Sequence, residues 1–391
     1  MPSATPRRYQ PQLDGIRAGA VLLVVAFHAR GNLFPGGYIG VDIFFVLSGY
    51  LITGILVREM TQSGRIAMRR FYIRRGLRLL PALGLVCLVV GGLYLALPDI
   101  PERRATLTGT IAALTYTSSP LAASGTNLGS MLPTWSLSVE EYFYFLWPAV
   151  LLLIAWRRIP LRVAVTVLVL VAMTYRFLAY AAFDWDIQRI AYGADTRSEQ
   201  ILIGAAVAVC LPMAARRMNP WIAVAAVAAM TVFVFLPESR TTPFYRDSGS
   251  TVIALLAAIV IAQVAFNPRG WLSHVLSWRP MVWVGQRSYG ISLWNLPLVA
   301  IVAYIPLAEN VQLGVKLVLM FAIPALSYRY LETPFLRLKD RFEPGAMSQT
   351  RSSKELSRSG TRHREREHVV VSETSVGAET DGETASQHAA R

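Results

Sequence analysis

Apolar runs long enough to cross a lipid bilayer recur along most of this chain. A membrane-spanning helix needs about 20 mostly apolar residues, and eleven runs approach or reach that length. Apolar side chains make up 54% of the 391 residues and charged ones 16%, whereas about 25% of a soluble domain is charged. The sequence therefore predicts an all-α, polytopic membrane protein. The candidate spans are 13–33, 38–58, 79–97, 106–120, 136–156, 161–180, 198–213, 220–236, 250–266, 288–306 and 311–331.

Basic residues between the apolar runs predict the topology. Arg7 and Arg8 place the N-terminus in the cytoplasm, because lysine and arginine are enriched in cytoplasmic loops. The run 106–120 is short and rich in Thr and Ser, and if it spans, the basic segments 157–162 and 214–218 fall outside. A re-entrant 106–120 brings every basic loop inside, with about ten transmembrane helices and both termini cytoplasmic. Non-helical backbone at that depth must be covered by protein or line a wet cavity.

The composition changes from Glu343 onward to polar residues without apolar periodicity, which predicts a disordered cytoplasmic tail. We therefore divide the chain into a membrane-embedded domain, 1–342, and a tail, 343–391. The net charge of +14 is assigned to topology rather than nucleic-acid binding, since no nucleic-acid motif is visible. No His, Cys or carboxylate cluster has metal-ligand spacing, so no metal site is predicted.

A histidine and an aspartate lie inside the first two apolar runs, a costly placement that indicates a functional site. Arg17 and His28 are eleven residues apart, roughly 16 Å along a helix, so Arg17 lies near the inner membrane face and His28 near the outer one. Asp42 begins the second run at a similar depth, and an antiparallel hairpin can bring it against His28. A carboxylate that orients an imidazole makes it a general base. A structural buried pair is the alternative.

The segment 69–78 carries five arginines just past the second span. Arg75 and Arg78 are three residues apart on one helical face, beside Arg74. Guanidinium groups bind phosphate in a bidentate manner, so this arrangement suits a phosphorylated ligand. Anchoring of the topology by positive charge is the alternative interpretation.

Two adjacent glutamates follow the Thr- and Ser-rich run. Ser138 and Glu141 fit a capping box, which gives Glu141 a structural role. Glu140 has no such role and falls on the outer side at the depth of His28, which favours it as a site residue.

A charged segment precedes the run 198–213. Arg189, Asp195, Arg197 and Glu199 lie there at the outer mouth of a span. A solvated rim of ion pairs is one interpretation, and binding of a polar acceptor is the other.

Seven motifs follow one another between residues 9 and 337. They are YQPQLDGIRAGAVLLVVAFH, GVDIFFVLSGYLIT, FYIRRGLRLLPAL, PTWSLSVEEYFYFLWP, ADTRSEQILIGAAVA, VGQRSYGISLWNLPL and SYRYLETPF. In this order they resemble the acyltransferase-3 family of membrane O-acyltransferases. Members of that family acylate surface polysaccharides, lipopolysaccharide and some macrolide antibiotics.

The resemblance implies an acyl-CoA co-substrate used on the cytoplasmic side, with no bound cofactor, and an acceptor hydroxyl that is often extracytoplasmic. By analogy with the family, each motif residue takes a role. Arg17 and His28 match the family's Arg-x10-His pair, Asp42 its GVD aspartate, Arg75 and Arg78 its RxxR pair, and Glu140 the glutamate of its WSL-x-VE motif.

Two departures from the family pattern bear on mechanism. Many members have a histidine in the SYG-x-x-LWH motif, where this chain has Asn295, so no second catalytic histidine is expected there. Many members also carry a fused extracytoplasmic SGNH-hydrolase domain, and here a two-domain relay would need a separate extracytoplasmic partner.

These observations predict a multi-pass O-acyltransferase of the cell inner (plasma) membrane. The acceptor would be a carbohydrate, a glycolipid or a macrolide, and acetyl is the default acyl group. The predicted donor-binding residues are Arg17, Arg74, Arg75 and Arg78; the catalytic residues are His28, Asp42 and Glu140; the acceptor-binding residues are Arg189, Asp195 and Arg197.

Two other functions fit the same residues. Intramembrane His, Asp and Glu suit a proton relay in a transporter or flippase for an amphiphilic or glycosylated solute, although the two halves of the chain show no self-similarity of the kind common in transporters. The chain could also bind acyl-CoA as a subunit of a larger assembly. Within the enzyme interpretation, direct transfer and a transient acyl-histidine both remain open.

Overall fold

The described part of the chain is helical throughout. The structure, a computed structural model, describes residues 9–183, 185–211, 218–236 and 249–340. Short 3-10 turns precede the second and sixth helices, and a π-helical turn, Tyr328–Glu332, precedes the last. Helices α1 to α15 are Pro11–Ala29, Gly40–Ser63, Met68–Ala96, Arg103–Leu114, Ser118–Ala123, Thr134–Trp156, Leu161–Ala181, Ile187–Tyr192, Ala194–Cys210, Pro220–Phe235, Ser250–Phe266, Trp271–Leu276, Arg279–Ala303, Glu309–Ser327 and Thr333–Asp340.

Six helical segments within these residues are long and apolar enough to cross a membrane. The all-α prediction is confirmed, whereas about ten spans and cytoplasmic termini stay predictions. The chain divides into compact units Met1–Pro334 and Phe335–Arg391, and the predicted boundary at 342/343 and the tail lie outside the described residues. The six segments are Pro11–Ala29, Gly37–Ser63, Met68–Ala96, Thr134–Trp156, Leu161–Ala181 and Glu309–Leu338.

The basic segment and the third apolar run form one continuous helix, α3, of 29 residues. The predicted span 79–97 is therefore extended at its start by the arginines, which enter the helical bundle on a rigid element. The Thr- and Ser-rich run forms the 12-residue α4 and a turn before α5. At 1.5 Å per residue α4 is about 18 Å long, too short to span alone. A re-entrant position for this segment stays a prediction.

Helices α2 and α9 touch backbone to backbone through two glycines. A Cβ added to Gly49 would lie 1.8 Å from the carbonyl oxygen of Ile201, and one added to Gly204 would lie 1.9 Å from that of Val46. Small residues allow such close helix packing in membranes. The contact holds the start of α2 beside the start of α9, where buried charges meet.

Helices α1 and α13 run side by side in the same direction. At one end a Cβ on Gly285 would lie 1.8 Å from the carbonyl oxygen of Asp14, and at the other end Asn295 contacts His28. Helix α14 returns after a short connection, and Tyr328 interacts electrostatically with Asp14. The start of α1 and the end of α14 thus share one end of the bundle.

Candidate functional site

Arg17 is held by a short chain of hydrogen bonds at the start of α1. Its Nη1 lies 3.2 Å from Asp14 Oδ1, and the other oxygen of Asp14 accepts a hydrogen bond of 2.5 Å from the Tyr9 hydroxyl. Gln286 of α13 donates to that hydroxyl at 2.8 Å. Burial and the bond to the Asp14 carboxylate raise the pKa of Tyr9 to about 12. The phenol therefore stays protonated and continues to donate.

Arg75 projects from α3 onto an aromatic ring and two carboxylates of α6. Its guanidinium carbon is 3.4 Å from the centroid of the Tyr144 ring, and its Nη2 is 3.6 Å from Glu141 Oε1. The Tyr144 hydroxyl donates to Glu140 Oε2 at 3.1 Å, and the Ser48 hydroxyl donates to Glu140 Oε1 at 2.7 Å. The described contacts of Glu140 are thus on the arginine side, not with His28.

The predicted capping box is wrong. Helix α6 begins at Thr134, because Pro133 and the preceding 3-10 turn already set the helical direction. Ser138 lies in the second turn, where its hydroxyl donates back to the Thr134 carbonyl at 3.3 Å. Glu141 pairs with Arg75 instead of capping the helix.

Arg78 lies one turn beyond Arg75 on α3. It interacts electrostatically with Arg17 and Arg75, of like charge, and with the carboxylate of Glu332, of opposite charge. It is exposed and makes no hydrogen bond or ion pair with any described residue. Arg74, also predicted to bind the donor, is half-buried on the same helix. Arg17, Arg75 and Arg78, which we name the arginine cluster, converge from two helices.

His28 occupies the last turn of α1. Its Nδ1 lies 2.9 Å from the Nδ2 atom of Asn295, and the Phe27 ring packs against the imidazole at 5.2 Å between centroids. Asn295 is fully buried. Sequence reasoning assigned no role to Asn295, although its position in a family motif was a signal that could have pointed to it.

Asp42 is embedded between α2 and α9. Arg197 Nη1 donates to its Oδ1 at 3.0 Å, and Gln200 Nε2 donates to the same oxygen at 2.7 Å. These hydrogen bonds join Asp42 to α9, and a contact with His28 stays a prediction. The side chain of Arg197 is 3% exposed, so it is not part of a solvated rim.

A second buried ion pair lies nearby. Arg176 of α7 approaches Glu199 at 3.3 Å, and the Thr251 hydroxyl of α11 donates to Glu199 at 2.9 Å. The prediction of a solvated position for Glu199 is wrong, since its side chain is 1% exposed. Sequence reasoning missed Arg176, although an arginine inside the apolar run 161–180 was a usable signal.

Arg189 and Asp195 form the rim that the sequence suggested. Arg189 Nη1 donates to Asp195 Oδ1 at 2.7 Å, and the Tyr175 hydroxyl donates to Asp195 Oδ2 at 2.6 Å. Their side chains are 33% and 38% exposed, and Arg189 lies over the Trp185 ring at 4.4 Å. Acceptor binding by Arg189, Asp195 and Arg197 stays a prediction.

Apolar spanning helices that enclose these charged residues define an integral membrane protein. A comparison with protein-family profiles identifies the class of protein more narrowly. The profile of the acyltransferase-3 acyltransferase domain matches residues 10–329. The chain belongs to this acyltransferase family. Family membership and the six apolar segments make it a multi-pass membrane protein.

Curated relatives carry related names. The chain is 34% identical over 353 residues to the peptidoglycan O-acetyltransferase OatA of Listeria monocytogenes, covering 84% of this chain and 56% of the relative. It is 34% identical to the putative peptidoglycan O-acetyltransferase YrhL of Bacillus subtilis, covering 84% and 55%. A putative O-acetyltransferase of Staphylococcus aureus is 32% identical, covering 84% and 57%. The chain thus spans about half the length of these relatives, and no solved structure matches it.

Proposed function

We propose that the chain is a membrane O-acyltransferase that moves an acyl group, acetyl by default, from acyl-CoA to a hydroxyl of a carbohydrate or glycosylated acceptor. The observation that carries this proposal is the convergence of Arg17, Arg75 and Arg78, of which Arg78 makes no hydrogen bond or ion pair with any described residue. Arginine stays charged in proteins, so Arg17 and Arg75 repel Arg78. A ligand with several phosphate oxygens relieves the repulsion and forms bidentate hydrogen bonds.

The donor would bind with its phosphates at the arginine cluster and its thioester directed along α1. Arg74 on the same face of α3 adds charge at the entrance. His28 is eleven residues beyond Arg17, roughly 16 Å along the helix, and the flexible pantetheine arm of CoA bridges such a distance. Glu140, which accepts hydrogen bonds beside Arg75, would line the path from the arginines towards the acceptor.

The reaction requires the transfer of one proton from the acceptor hydroxyl to the CoA thiolate. His28 takes the proton of the acceptor hydroxyl, whose oxygen attacks the thioester carbonyl. The carbon–sulfur bond breaks, and the imidazolium returns the proton to the CoA thiolate. The products are the acyl ester and free CoA thiol. A positioned general base of this kind contributes about 10²- to 10⁴-fold to rate.

The relatives support acetyl as the acyl group and a cell-wall glycan as the acceptor, because their names specify O-acetylation of peptidoglycan. We place the enzyme in the plasma membrane, because a cytoplasmic donor and an extracytoplasmic acceptor would both be within reach there. A separate extracytoplasmic partner would take part if the acyl group is relayed to the acceptor in two steps.

The test is release of free thiol from acetyl-CoA by purified protein in detergent, with and without soluble peptidoglycan fragments. Wild type should show release that the fragments stimulate, and His28→Ala should lose it by at least about 10²-fold. The Ser292→Ala variant of α13 serves as the control. Stimulated release that persists in His28→Ala would exclude the general-base role.

A transporter or flippase is the second candidate, since buried acids and arginines also line transport paths. The transporter hypothesis predicts that the folded protein releases no thiol from acetyl-CoA under any condition. Membership of an acyltransferase family argues against it.

A further inference from the structure

The imidazole of His28 and the amide of Asn295 meet across the α1–α13 interface. Asn295 Nδ2 lies 2.9 Å from His28 Nδ1, and Asn295 is fully buried. The other amide atom, Oδ1, has no hydrogen-bond partner within the described ranges. Buried polar atoms are almost always paired, so an orphaned oxygen beside a catalytic imidazole needs an explanation.

The orientation of the amide decides the tautomer of His28. A half-turn of the amide exchanges oxygen and nitrogen without changing its shape, so the two are assigned from their hydrogen bonds. With Nδ2 facing the ring, Nδ1 must accept, and the neutral imidazole carries its proton on Nε2. That tautomer has no lone pair at Nε2 with which to take a proton. With Oδ1 facing the ring, Nδ1–H donates to it and Nε2 is unprotonated, so Nε2 carries the lone pair that a general base needs. Nδ2 then takes the position that Oδ1 has in the structure.

We propose that Asn295 is a positioning residue that holds His28 as the Nδ1–H tautomer through its amide oxygen. The inference rests on the proposed function, in which Nε2 of His28 accepts the acceptor's proton. After that transfer Nδ1–H is still a donor, so the same hydrogen bond serves the imidazolium. Asn295 therefore orients the base without adding a negative charge, the task that a carboxylate performs in many hydrolases.

The wild-type tautomer can be observed directly. Nitrogen-15 spectra of histidine-labelled, full-length protein in alkaline buffer, where imidazole is neutral, report which ring nitrogen is protonated. The chain has five histidines, so a His28→Gln spectrum assigns the signal by subtraction. We expect a protonated Nδ1 for His28. A protonated Nε2 would overturn the proposal, and this measurement needs no folded Asn295 variant.

Two substitutions separate positioning from packing. Asn295→Leu keeps a branched side chain and removes the acceptor, whereas Asn295→Asp keeps an acceptor oxygen. We expect Asn295→Leu to lower kcat with acetyl-CoA and peptidoglycan fragments by about 10²- to 10³-fold, in the range of a lost general base, with the KM for acetyl-CoA unchanged. Asn295→Asp should retain most of kcat. A packing role predicts the reverse order, because leucine suits a buried site better than an ionised aspartate.

Control variants distinguish failure of the positioning role from failure of the proposed function. Ser292→Ala, one turn earlier in α13, should keep the kcat of wild type. If His28→Ala keeps stimulated thiol release, the general-base function itself is wrong. If His28→Ala is inactive while folded Asn295→Leu keeps full kcat, only the positioning role is wrong. Equal losses of kcat in folded Leu and Asp variants would also overturn it.

Discussion

Two clusters of charged side chains lie among these helices, and they differ in how completely they are paired. The first, which we name the buried network, consists of Asp42, Arg176, Arg197 and Glu199. Its two ion pairs are 3.0 Å and 3.3 Å long, and every side chain is at most 3% exposed. Hydrogen bonds from Gln200 and Thr251 add to the pairing.

The arginine cluster is looser and more accessible. The pair Arg75–Glu141 is 3.6 Å long, with side chains 16% and 22% exposed, and Arg78 makes no hydrogen bond or ion pair with any residue in the described ranges. Charges taken out of water are stable only when paired and hydrogen-bonded. The buried network therefore fits a role in the fold, whereas the arginine cluster fits the proposed role of binding an anionic donor. The difference gives Asp42 a structural explanation beside its predicted catalytic role.

The largest effect is expected from breaking one pair of the buried network. Arg197→Leu removes the ion-pair partner of the buried Asp42 carboxylate, and removing one partner of a buried pair costs about 3–5 kcal/mol. Thermal unfolding in detergent should show a large drop in Tm or little folded protein. In the half-exposed pair Arg189–Asp195, Arg189→Leu should cost about 1 kcal/mol or less. Equal losses of stability in Arg197→Leu and Arg189→Leu would show that water reaches the buried network and screens its charges.

The double variant Asp42→Leu/Arg197→Leu sharpens the same point. It removes both charges, so stability should recover relative to Arg197→Leu. Asp42→Asn with the Tm of wild type and no thiol release would instead assign Asp42 to the chemistry.

Substitution of a residue of the arginine cluster is expected to have a smaller effect, and to change donor binding rather than folding. Arg78→Ala should raise the KM for acetyl-CoA by about 10- to 100-fold, since hydrogen bonds to charged groups contribute about 1.5–3 kcal/mol. It should change Tm little, because Arg78 is repelled by Arg17 and Arg75 but attracted by Glu332. The matched control is Arg69→Ala, an exposed arginine at the start of α3. An equal change in KM in both variants would show that the arginines act only through their overall positive charge and not by direct contact with the donor.

The smallest effect is expected from Tyr9→Phe, which loosens the hydrogen bonds behind Arg17. The pKa of Tyr9, raised to about 12, exceeds the ordinary tyrosine value of about 10. The stabilisation from its bound proton is therefore fully present below pH 10 and is lost as pH rises through 12. The difference in Tm between wild type and Tyr9→Phe should be constant from pH 6 to 9. A difference that disappears already near pH 8 would contradict the raised pKa.

Helix positions and the arginine cluster followed from sequence, because they depend on local pattern. Apolar runs identify membrane helices by composition, and the spacing of Arg75 and Arg78 places them on one face of α3. The eleven residues between Arg17 and His28 fix their positions along α1 in the same way. Each of these inferences concerns residues within a single helix.

The partners across helices could not be predicted, because they depend on packing between distant segments. Asp42 and Arg197 were both singled out, yet 155 residues separate them, and glycine contacts decide that α2 and α9 touch. Proximity in sequence suggested His28 as the partner of Asp42. Glu141 was assigned to a local cap, although Arg75 of another helix offered a charge partner.

Helix α1 carries both Arg17 and His28 on one unbroken element from Pro11 to Ala29. An intact α-helix has a fixed rise per residue, so the separation of these two residues along α1 is set at roughly 16 Å. In the proposed mechanism α1 would act as a ruler for the acyl donor. A thioester whose arm is shorter or longer than this length would present its carbonyl to apolar side chains of α1 instead of to the imidazole.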